Sequence, residues 1–257
     1  PFAGGAGAAL ALLQNGAVSR IVLNDLDKRV YAFWRAALNQ TNAFIDLIHN
    51  IPLTIGEWRR QHKICQSPSR HSQLAVGFAT FFMNRCNRSG VISGAGPIGG
   101  YHQSGKWRLD ARFYRDSLAE RVANIGRNRD KISVSNLDAI RFLVEKLPRG
   151  GERSKVFAYL DPPYVMKGQR LYLNAFEHDD HSALARYVGA QKQLHWVVSY
   201  DSCELIPALY EEHRIANLSL QYTLQQKREA QELFVAPHHV STPIHCHHDS
   251  LTYNAKT

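Results

Sequence analysis

Two consecutive prolines directly after an apolar run constrain the fold of this chain more than any other sequence feature. Residues Lys155 to Leu160 read K-V-F-A-Y-L, which predicts a β-strand, and Asp161-Pro162-Pro163-Tyr164 follow at once. Because prolines cannot continue a strand ladder or a helix interior, they fix an extended corner at the carboxyl end of the strand. In open α/β sheets this is the edge where ligands bind. A plain strand-ending turn would explain the prolines, but not the acid and the aromatic ring beside them.

A second candidate binding edge lies at the start of the chain. The glycine-rich turn Gly4-Gly5-Ala6-Gly7 precedes a helix predicted over residues 8–14 and a strand predicted over residues 19–24, and Asp25 follows that strand. Such a turn lets a ligand approach the backbone, and an acid at a strand end can accept hydrogen bonds from ribose hydroxyls. Two alternatives stay open: a glycine-rich loop that binds no nucleotide, and Asp25 as the N-cap of the next helix.

The size and composition predict a soluble globular protein. A chain of 257 residues can bury a full core without disulfide or metal cross-links. Its mean hydropathy is −0.33, and it contains no apolar run near the roughly 18 residues of a membrane helix. The cysteines are too far apart for a disulfide framework or a four-thiolate zinc site, which favours a reducing cytoplasm; they are Cys65, Cys86, Cys203 and Cys246.

Histidines are frequent near the end of the chain, but their spacing does not predict a metal site. The adjacent Cys246-His247-His248 lack the gaps between ligands that structural zinc sites have, and His238, His239 and His245 fit a histidine-rich surface tail. Residues 178–181 are predicted to begin a helix, with Asp180 near the N-cap. We therefore expect no metal.

The positive charge of the chain is concentrated in one segment. The net charge is +9, and residues 57–131 hold 14 Lys and Arg against 5 Asp and Glu, whereas the rest of the chain has 17 of each sign. Aromatic residues are interleaved with the cations in this segment: Trp58, Phe78, Phe81, Phe82, Tyr101, Trp107, Phe113 and Tyr114. The pattern predicts a phosphate-binding surface. A cationic face that binds nothing specific is the alternative.

The basic segment is predicted to be mainly helical, with helices over residues 72–84 and 116–125. Residues 87–100 between them contain too much glycine for a helix. This loop is flanked by cations that can hold phosphates while the loop follows a DNA groove; they are Arg85, Arg88, Lys106 and Arg108. The alternative is a disordered surface loop.

The order of these motifs resembles that of the Dam-type, D12 class N6-adenine DNA methyltransferases. The resemblance spans most of the chain and rests on Phe2-Ala3-Gly4-Gly5, Asp25, residues 57–131, Asn136-Leu137-Asp138 and the D-P-P-Y motif at residues 161–164. Later stretches also resemble the family: residues 172–176 with Asp180 and His181, residues 196–200, and residues 231–234. Ala6 stands where the family commonly has another glycine.

The resemblance implies an α/β fold, namely a Rossmann-like S-adenosylmethionine-dependent methyltransferase with an inserted, mainly helical DNA-recognition domain. The catalytic domain would comprise residues 1–56 and 132–257, and the insertion residues 57–131. Relatives have a strand and a lysine-containing segment ahead of the glycine-rich turn, so we expect this sequence to begin inside the domain, without its N-terminal strand.

The resemblance also implies roles for individual residues. The cofactor S-adenosylmethionine would contact Phe2, Gly4 and Gly5 at its methionine end, Asp25 at its ribose and Asp138 at its adenine, with Asp161 nearby. The target amino group would donate hydrogen bonds to Asp161 and to the carbonyl of Pro162 at the Pro162-Pro163 corner, and Tyr164 would stack on the base. The DNA contacts would come from Arg85, Asn87 and Arg88 of an N-R-x-G hairpin, together with Lys106 and Arg108.

The implied activity is methylation of adenine N6 in double-stranded DNA by a monomeric cytoplasmic enzyme. D-P-P-Y also occurs in methyltransferases that act on cytosine N4, RNA or protein glutamine, but the basic insertion favours DNA. Restriction-modification, phage defence and replication control all stay open as biological settings. An inactive DNA-binding relic of such a methylase is the alternative from a different functional class.

Overall fold

A computed structural model describes residues 1–164, 176–224 and 226–241 of the chain. The chain divides into two compact units, of which one comprises Ala3–Asp138 and the other Pro1–Phe2 together with Ala139–Thr257. Both units contain helices and strands, so the protein is of mixed α and β composition, as the sequence predicts.

The unit Ala3–Asp138 carries most of the helices. Its regular elements are α1 (Gly7–Gln14), β1 (Ile21–Asn24), α2 (Lys28–Asn39), α3 (Thr41–Asn50), α4 (Ile55–Gln66), α5 (Gln73–Cys86), α6 (Arg115–Arg127) and β2 (Ile132–Ser135). Strands β1 and β2 pair in parallel, with Ile21 opposite Ile132 and Asn24 opposite Ser135. The residues that follow the two strands therefore lie at the same edge.

The helices of this unit surround one apolar core. Trp34, Phe44, Phe78 and Phe82 are all at most 2% exposed. Helices α2 and α5 approach so closely that a Cβ atom on Gly77 would lie 2.5 Å from the carbonyl oxygen of Ala32. Any larger residue at position 77 would separate the two helices.

Helices α4, α5 and α6 fall within the basic segment 57–131, but they share this core with α2 and α3. The segment therefore belongs to the same compact unit as the preceding helices, and this unit ends at Asp138. A separate recognition domain with limits at 57 and 131 stays a prediction.

The second unit is built around a four-stranded sheet. Its regular elements are α7 (Ala139–Lys146), β3 (Phe157–Leu160), α8 (His178–Gly189), β4 (His195–Asp201), α9 (Leu205–Leu209), β5 (Arg214–Leu224) and β6 (Gln226–Ala236). The strand order is β3-β4-β6-β5, in which β3 and β4 are parallel and β6 runs antiparallel to both β4 and β5.

Most of the predicted elements are present, with small shifts at their ends. Helix α5 begins after Ser72, whose hydroxyl accepts a hydrogen bond from the Ala75 amide, and the predicted helix over 116–125 is α6. Strand β3 starts at Phe157 because residues 150–155 form a 3₁₀ turn. Helix α8 begins at His178, and the side chain of Asp180 accepts from the Glu177 amide in a capping box.

Cys65 and Cys86 are buried free thiols, and Cys203 is a half-buried one. Burial raises the pKa of the Cys65 thiol to about 11 and that of Cys86 to about 12. These two thiols therefore act as small core side chains and not as nucleophiles. The predicted stretch 172–175, and Cys246 with His245, His247 and His248, lie outside the described residues.

Candidate active site

The glycine-rich turn is attached to the end of strand β1 through Asp25. The Ala3 amide donates to the carbonyl of Asn24 at 2.8 Å, and the Gly4 amide donates to Asp25 Oδ2 at 2.9 Å. Gly4 has a φ of +46°, which a residue with a side chain rarely adopts, and a Cβ on Gly4 or Gly5 would meet no atom within 4 Å. The turn thus offers an open backbone surface beside a carboxylate.

Asp25 is held by two backbone amides, because the Asp27 amide donates to its Oδ1 at 2.9 Å. Burial raises the pKa of the Asp25 carboxyl, and the amides of Gly4 and Asp27 oppose this rise without cancelling it. Each carboxylate oxygen has more than one acceptor position, so the group can also bind hydroxyls. Asp25 is not the cap of α2, because Asp27 takes that position by accepting from the Arg29 amide.

Two asparagines join the ends of β1 and β2. The fully buried Asn24 accepts from the Leu137 amide at 2.9 Å and donates to the Leu137 carbonyl at 2.9 Å. Asn136 donates to the carbonyls of Asp25 at 2.7 Å and Leu26 at 2.9 Å. Asp138, which is exposed, follows directly. The two strand-end acids assigned to the cofactor therefore follow segments that are bonded to each other.

The buried Trp34 of α2 supports the same turn from below. Its indole Nε1 donates to the Gly4 carbonyl at 2.9 Å, and its side chain is 0% exposed. Sequence reasoning did not find this residue, because a tryptophan at helical spacing reads as an ordinary core position.

The ring of Phe2 lies with the aromatic side chains of the second unit. It meets Phe176 edge-on, with ring centroids 5.4 Å apart, and Phe176 in turn meets His181 at 4.9 Å. Burial lowers the pKa of the His181 imidazole, so the ring is neutral at physiological pH. The side chain of Phe2 is thereby fixed by apolar ring contacts.

Asp161 follows β3 directly, at the exposed end of that strand. Its Oδ1 accepts a hydrogen bond of 2.8 Å from the hydroxyl of Ser199 on the neighbouring strand β4, and the Tyr159 hydroxyl lies 3.1 Å from the same Ser199 oxygen. Desolvation raises the pKa of the Asp161 carboxyl, the Ser199 hydrogen bond lowers it, and the charge of Glu232 raises it again. The balance leaves the pKa above its usual value.

The aromatic end of the D-P-P-Y motif is also anchored. Pro162 is buried and Pro163 is half-buried. The Tyr164 hydroxyl donates to Glu232 Oε1 on β6 at 3.0 Å. The corner therefore presents an acid and a half-buried ring whose hydroxyl is bonded to the same sheet.

The glycine-rich loop of the basic segment closes as a small hairpin. Asn87 pairs with Pro97 in an antiparallel bridge, and the Arg88 amide donates to the Gly96 carbonyl at 3.1 Å. The Asn87 side chain is 0% exposed, accepts from Trp58 Nε1 at 2.7 Å and donates to the Val91 carbonyl at 2.7 Å. Because both its amide oxygen and its amide nitrogen are hydrogen-bonded within the protein, Asn87 holds the shape of the hairpin, and its direct contact with DNA stays a prediction.

The cations of the basic segment fall into two groups. Arg112 donates to the carbonyls of Asn84 and Asn87 at the end of α5, and Arg115 donates to those of His49 and Ile51 at the end of α3, so both guanidinium groups are bound to helix C-termini. Arg85 is half-buried and donates to the Asn84 side chain. Three of the cations that were predicted to contact DNA are exposed: Arg88, Lys106 and Arg108.

Aromatic rings accompany the exposed cations. Lys106 Nζ lies 5.6 Å from the ring centroid of Trp107, which is 53% exposed, and Tyr101 is 54% exposed. Exposed large rings beside cations are unusual on a surface that binds nothing, and they suit a partner with phosphates and bases.

A buried ion pair links the strand-end loop to the hairpin. Arg29 is 5% exposed, and its Nη2 lies 2.6 Å from Asp27 Oδ2. Its Nη1 donates to the hydroxyl of Ser93 in the glycine-rich loop at 2.5 Å. Arg29 was not predicted as a site residue, since it falls outside the basic segment.

Among the described residues, no helix combines the length and the apolar character needed to cross a membrane.

Comparison with known proteins identifies the family. The chain has no match among the curated proteins. The profile of the D12 class N6 adenine-specific DNA methyltransferases, however, matches residues 1–224, which is most of the chain and includes both strand-end acids and the D-P-P-Y corner. The chain therefore belongs to the D12 class N6 adenine-specific DNA methyltransferase family, and it is an enzyme that methylates adenine in DNA.

Proposed function

We propose that this adenine-specific methyltransferase activates the target amino group with Asp161 and the Pro162 carbonyl, and that it takes the methyl group from S-adenosylmethionine. The observation that carries the proposal is the acceptor pair at the carboxyl end of β3, where Asp161 is oriented by Ser199 and Pro162 is locked by the following proline.

The chemistry of adenine explains why two acceptors are needed. The exocyclic nitrogen is conjugated with the ring and is a weak nucleophile. Acceptors aimed at its two N–H bonds draw the lone pair out of the ring towards the methyl donor, and an ionised Asp161 stabilises the positive charge that develops on the nitrogen. No covalent enzyme intermediate is required.

We assign cofactor binding to the turn and the two strand ends of the unit Ala3–Asp138. When bound, S-adenosylmethionine supplies an electrophilic methyl group on its sulfonium. The open backbone at Gly4 and Gly5 suits a close approach of its methionine part, and Asp25 retains acceptor capacity for its ribose hydroxyls. Asp138 is assigned to the adenine, and Phe2 to the methionine end as an apolar contact.

Tyr164 is assigned to the target base. A base inside a duplex must be flipped out, which costs a few kcal/mol, and an aromatic platform offsets part of that cost. The hydrogen bond from the Tyr164 hydroxyl to Glu232 supports this role, because it fixes one end of the ring.

We further propose a Rossmann-like arrangement in which residues 57–131 form the DNA-recognition part. Two observations support the Rossmann-like arrangement: β1 pairs in parallel with β2 and β3 with β4, and the antiparallel β6 lies beside β4. The segregated charge and the exposed cations of the hairpin region support DNA binding by this segment. A monomeric state and a cytoplasmic location remain predictions from the sequence.

The DNA contacts can be tested through salt dependence. Arg88 and Lys106 are both exposed, so we expect the double substitution Arg88→Ala/Lys106→Ala to flatten the slope of log affinity against log salt by about 2 units. The affinity for S-adenosylmethionine should not change. Fluorescence anisotropy of labelled duplex DNA at several salt concentrations measures the slope.

A matched control is the pair Lys146→Ala/Arg149→Ala, which removes two exposed cations outside the basic segment. This control should leave the slope nearly unchanged. Equal slopes for the wild type and the Arg88/Lys106 variant would refute the assignment of DNA to this segment.

A further inference from the structure

We propose that Ser199 and Glu232 are positioning residues for Asp161: Ser199 fixes one carboxylate oxygen, and Glu232, which accepts a hydrogen bond from Tyr164 of the same D-P-P-Y motif, brings a second negative charge to the corner. This inference rests on the proposed role of Asp161 as the acceptor for the target amino group. It adds two residues from other strands to that role and assigns them opposite effects on the acid.

The position of Ser199 follows from the strand register. Leu160, the last residue of β3, pairs with Val198 on β4, so the next residue of each strand, Asp161 and Ser199, are also neighbours. Ser199 is 1% exposed, and its hydroxyl lies 2.8 Å from Asp161 Oδ1 but 3.3 Å from the Leu160 carbonyl. A hydroxyl has one hydrogen to donate, and the charged, closer acceptor takes it.

Tyr159 completes the chain of hydrogen bonds. Its hydroxyl lies 3.1 Å from Ser199 Oγ, and because the hydrogen of Ser199 is used by Asp161, Tyr159 is the donor in this contact. The two hydrogen bonds, from Tyr159 to Ser199 and from Ser199 to Asp161, therefore hold Oδ1 of Asp161 in place. Oδ2 of Asp161 is left for the amino group of the target. A carboxylate with one oxygen fixed loses less freedom when it engages the target.

Glu232 lies on β6, the other neighbour of β4 in the sheet. In the ladder between β4 and β6, Glu232 is paired with Asp201, and it also accepts the hydrogen bond from Tyr164. Its charge acts on Asp161 through space. Of the titratable groups on the adjacent strands, Tyr159 on β3 and Glu232 on β6 interact with Asp161.

The two carboxylates favour the same step. As the target nitrogen takes the methyl group it gains positive charge, which it loses again when one of its N–H protons passes to water. A second anion near Asp161 stabilises that charge in a partly desolvated site. The cost is that Glu232 makes Asp161 harder to ionise. Ser199 counters this cost, since its hydrogen bond favours the ionised form.

Ser199 and Glu232 shift the pKa of Asp161 in opposite directions, so their variants should shift the pH dependence of the rate in opposite directions. An ionised Asp161 accepts more strongly from the amino group and stabilises the positive charge that develops on it, so the methylation rate falls as the pH drops through the pKa of Asp161. Ser199→Ala removes a hydrogen bond that lowers this pKa, so the acidic limb of the rate profile should move to higher pH. Glu232→Gln removes a charge that raises the pKa of Asp161, so the acidic limb of this variant should move to lower pH. The amide oxygen of the new glutamine still accepts a hydrogen bond from Tyr164.

The experiment measures the rate of methyl transfer to unmethylated genomic DNA against pH, at saturating S-adenosylmethionine, for the wild type and the two variants. We also expect Ser199→Ala to lose up to about 100-fold in rate at the pH optimum, because Oδ1 is no longer held. Ser199→Thr keeps the hydroxyl and should have the wild-type rate, with the acidic limb at the wild-type pH. Ser202→Ala, an exposed serine just after the same strand, is the matched control.

Acidic limbs that stay in place, or that move in the same direction in both variants, would overturn the proposal. If Ser199→Ala does not fold, Tyr159→Phe removes the outer hydrogen bond of the chain and should move the limb to higher pH by a smaller amount; an unchanged limb there would also overturn it. Failure of the proposed function itself looks different, because Asp161→Ala would then still methylate DNA.

Discussion

Replacing Asp161 with Ala should reduce methyl transfer to DNA by several orders of magnitude while leaving the affinity for S-adenosylmethionine nearly intact. The reason is that the proposed partner of Asp161 is the target nitrogen, whose positive charge develops only in the transition state. A group that acts there changes the rate far more than the binding of either substrate. Single-turnover kinetics and calorimetry measure the two quantities separately.

Glu211→Ala provides the matched control for this variant, since it removes an exposed acid from the same compact unit. It should methylate DNA at the wild-type rate. Methylation by Asp161→Ala above about a tenth of the wild-type rate would exclude the proposed role, because a group that stabilises the transition state directly contributes more than that.

Asp25→Ala should weaken the binding of S-adenosylmethionine by about 1.5 to 3 kcal/mol, or roughly 10- to 150-fold, the range for hydrogen bonds to a charged group. Asp25 also accepts from the amides of Gly4 and Asp27, so the substitution loosens the turn as well as removing the proposed ribose contact. Both effects act in the same direction. Isothermal titration calorimetry measures the affinity.

The control for Asp25 is Asp130→Ala in the same unit, whose side chain is 94% exposed and makes only a loose contact with Arg129. It should bind the cofactor like the wild type, and thermal unfolding of both variants shows whether the fold is retained. A folded Asp25→Ala variant with unchanged affinity would contradict the assignment.

The elements that carry the site were predictable because they depend on local sequence. The run K-V-F-A-Y-L followed by two prolines locates β3 and its corner, and the turn, helix, strand and acid at the start of the chain locate the other strand end. Parallel pairing of β1 with β2 then brings Asp25 and the segment of Asp138 to one edge. The strand ends follow from local sequence, whereas the pairing joins residues far apart along the chain, such as Ile21 and Ile132, and becomes known only from the structure.

The partners of the site residues were not predictable, because they are far away along the chain. Ser199 lies 38 residues from Asp161, and Glu232 lies 68 residues from Tyr164. A weak signal existed: a serine within the buried strand W-V-V-S-Y, and an asparagine at the end of β1, are polar residues that a core must satisfy. Their partners become known only from the strand register.

The charge count of the basic segment does not separate exposed cations from cations that are hydrogen-bonded within the protein. It gave each cation equal weight, whereas Arg112 and Arg115 donate to backbone carbonyls inside the protein and Arg85 is half-buried against Asn84. The resemblance assigned Asn87 to DNA as part of the N-R-x-G hairpin, and the structure adds that its buried amide is hydrogen-bonded to Trp58 and to the Val91 carbonyl. The burial of each side chain distinguishes residues bonded within the protein from residues open to DNA, and burial cannot be derived from composition.

Methyl transfer by this chain to adenine N6 can be measured directly. The purified protein is incubated with unmethylated genomic DNA and S-adenosylmethionine carrying a heavy-isotope methyl group, and the DNA is digested to nucleosides for mass spectrometry. The proposed mechanism predicts the label in N6-methyldeoxyadenosine, with none above background for Asp161→Ala. Label in N4-methyldeoxycytidine instead, or no labelled nucleoside from the folded wild-type protein, would contradict it.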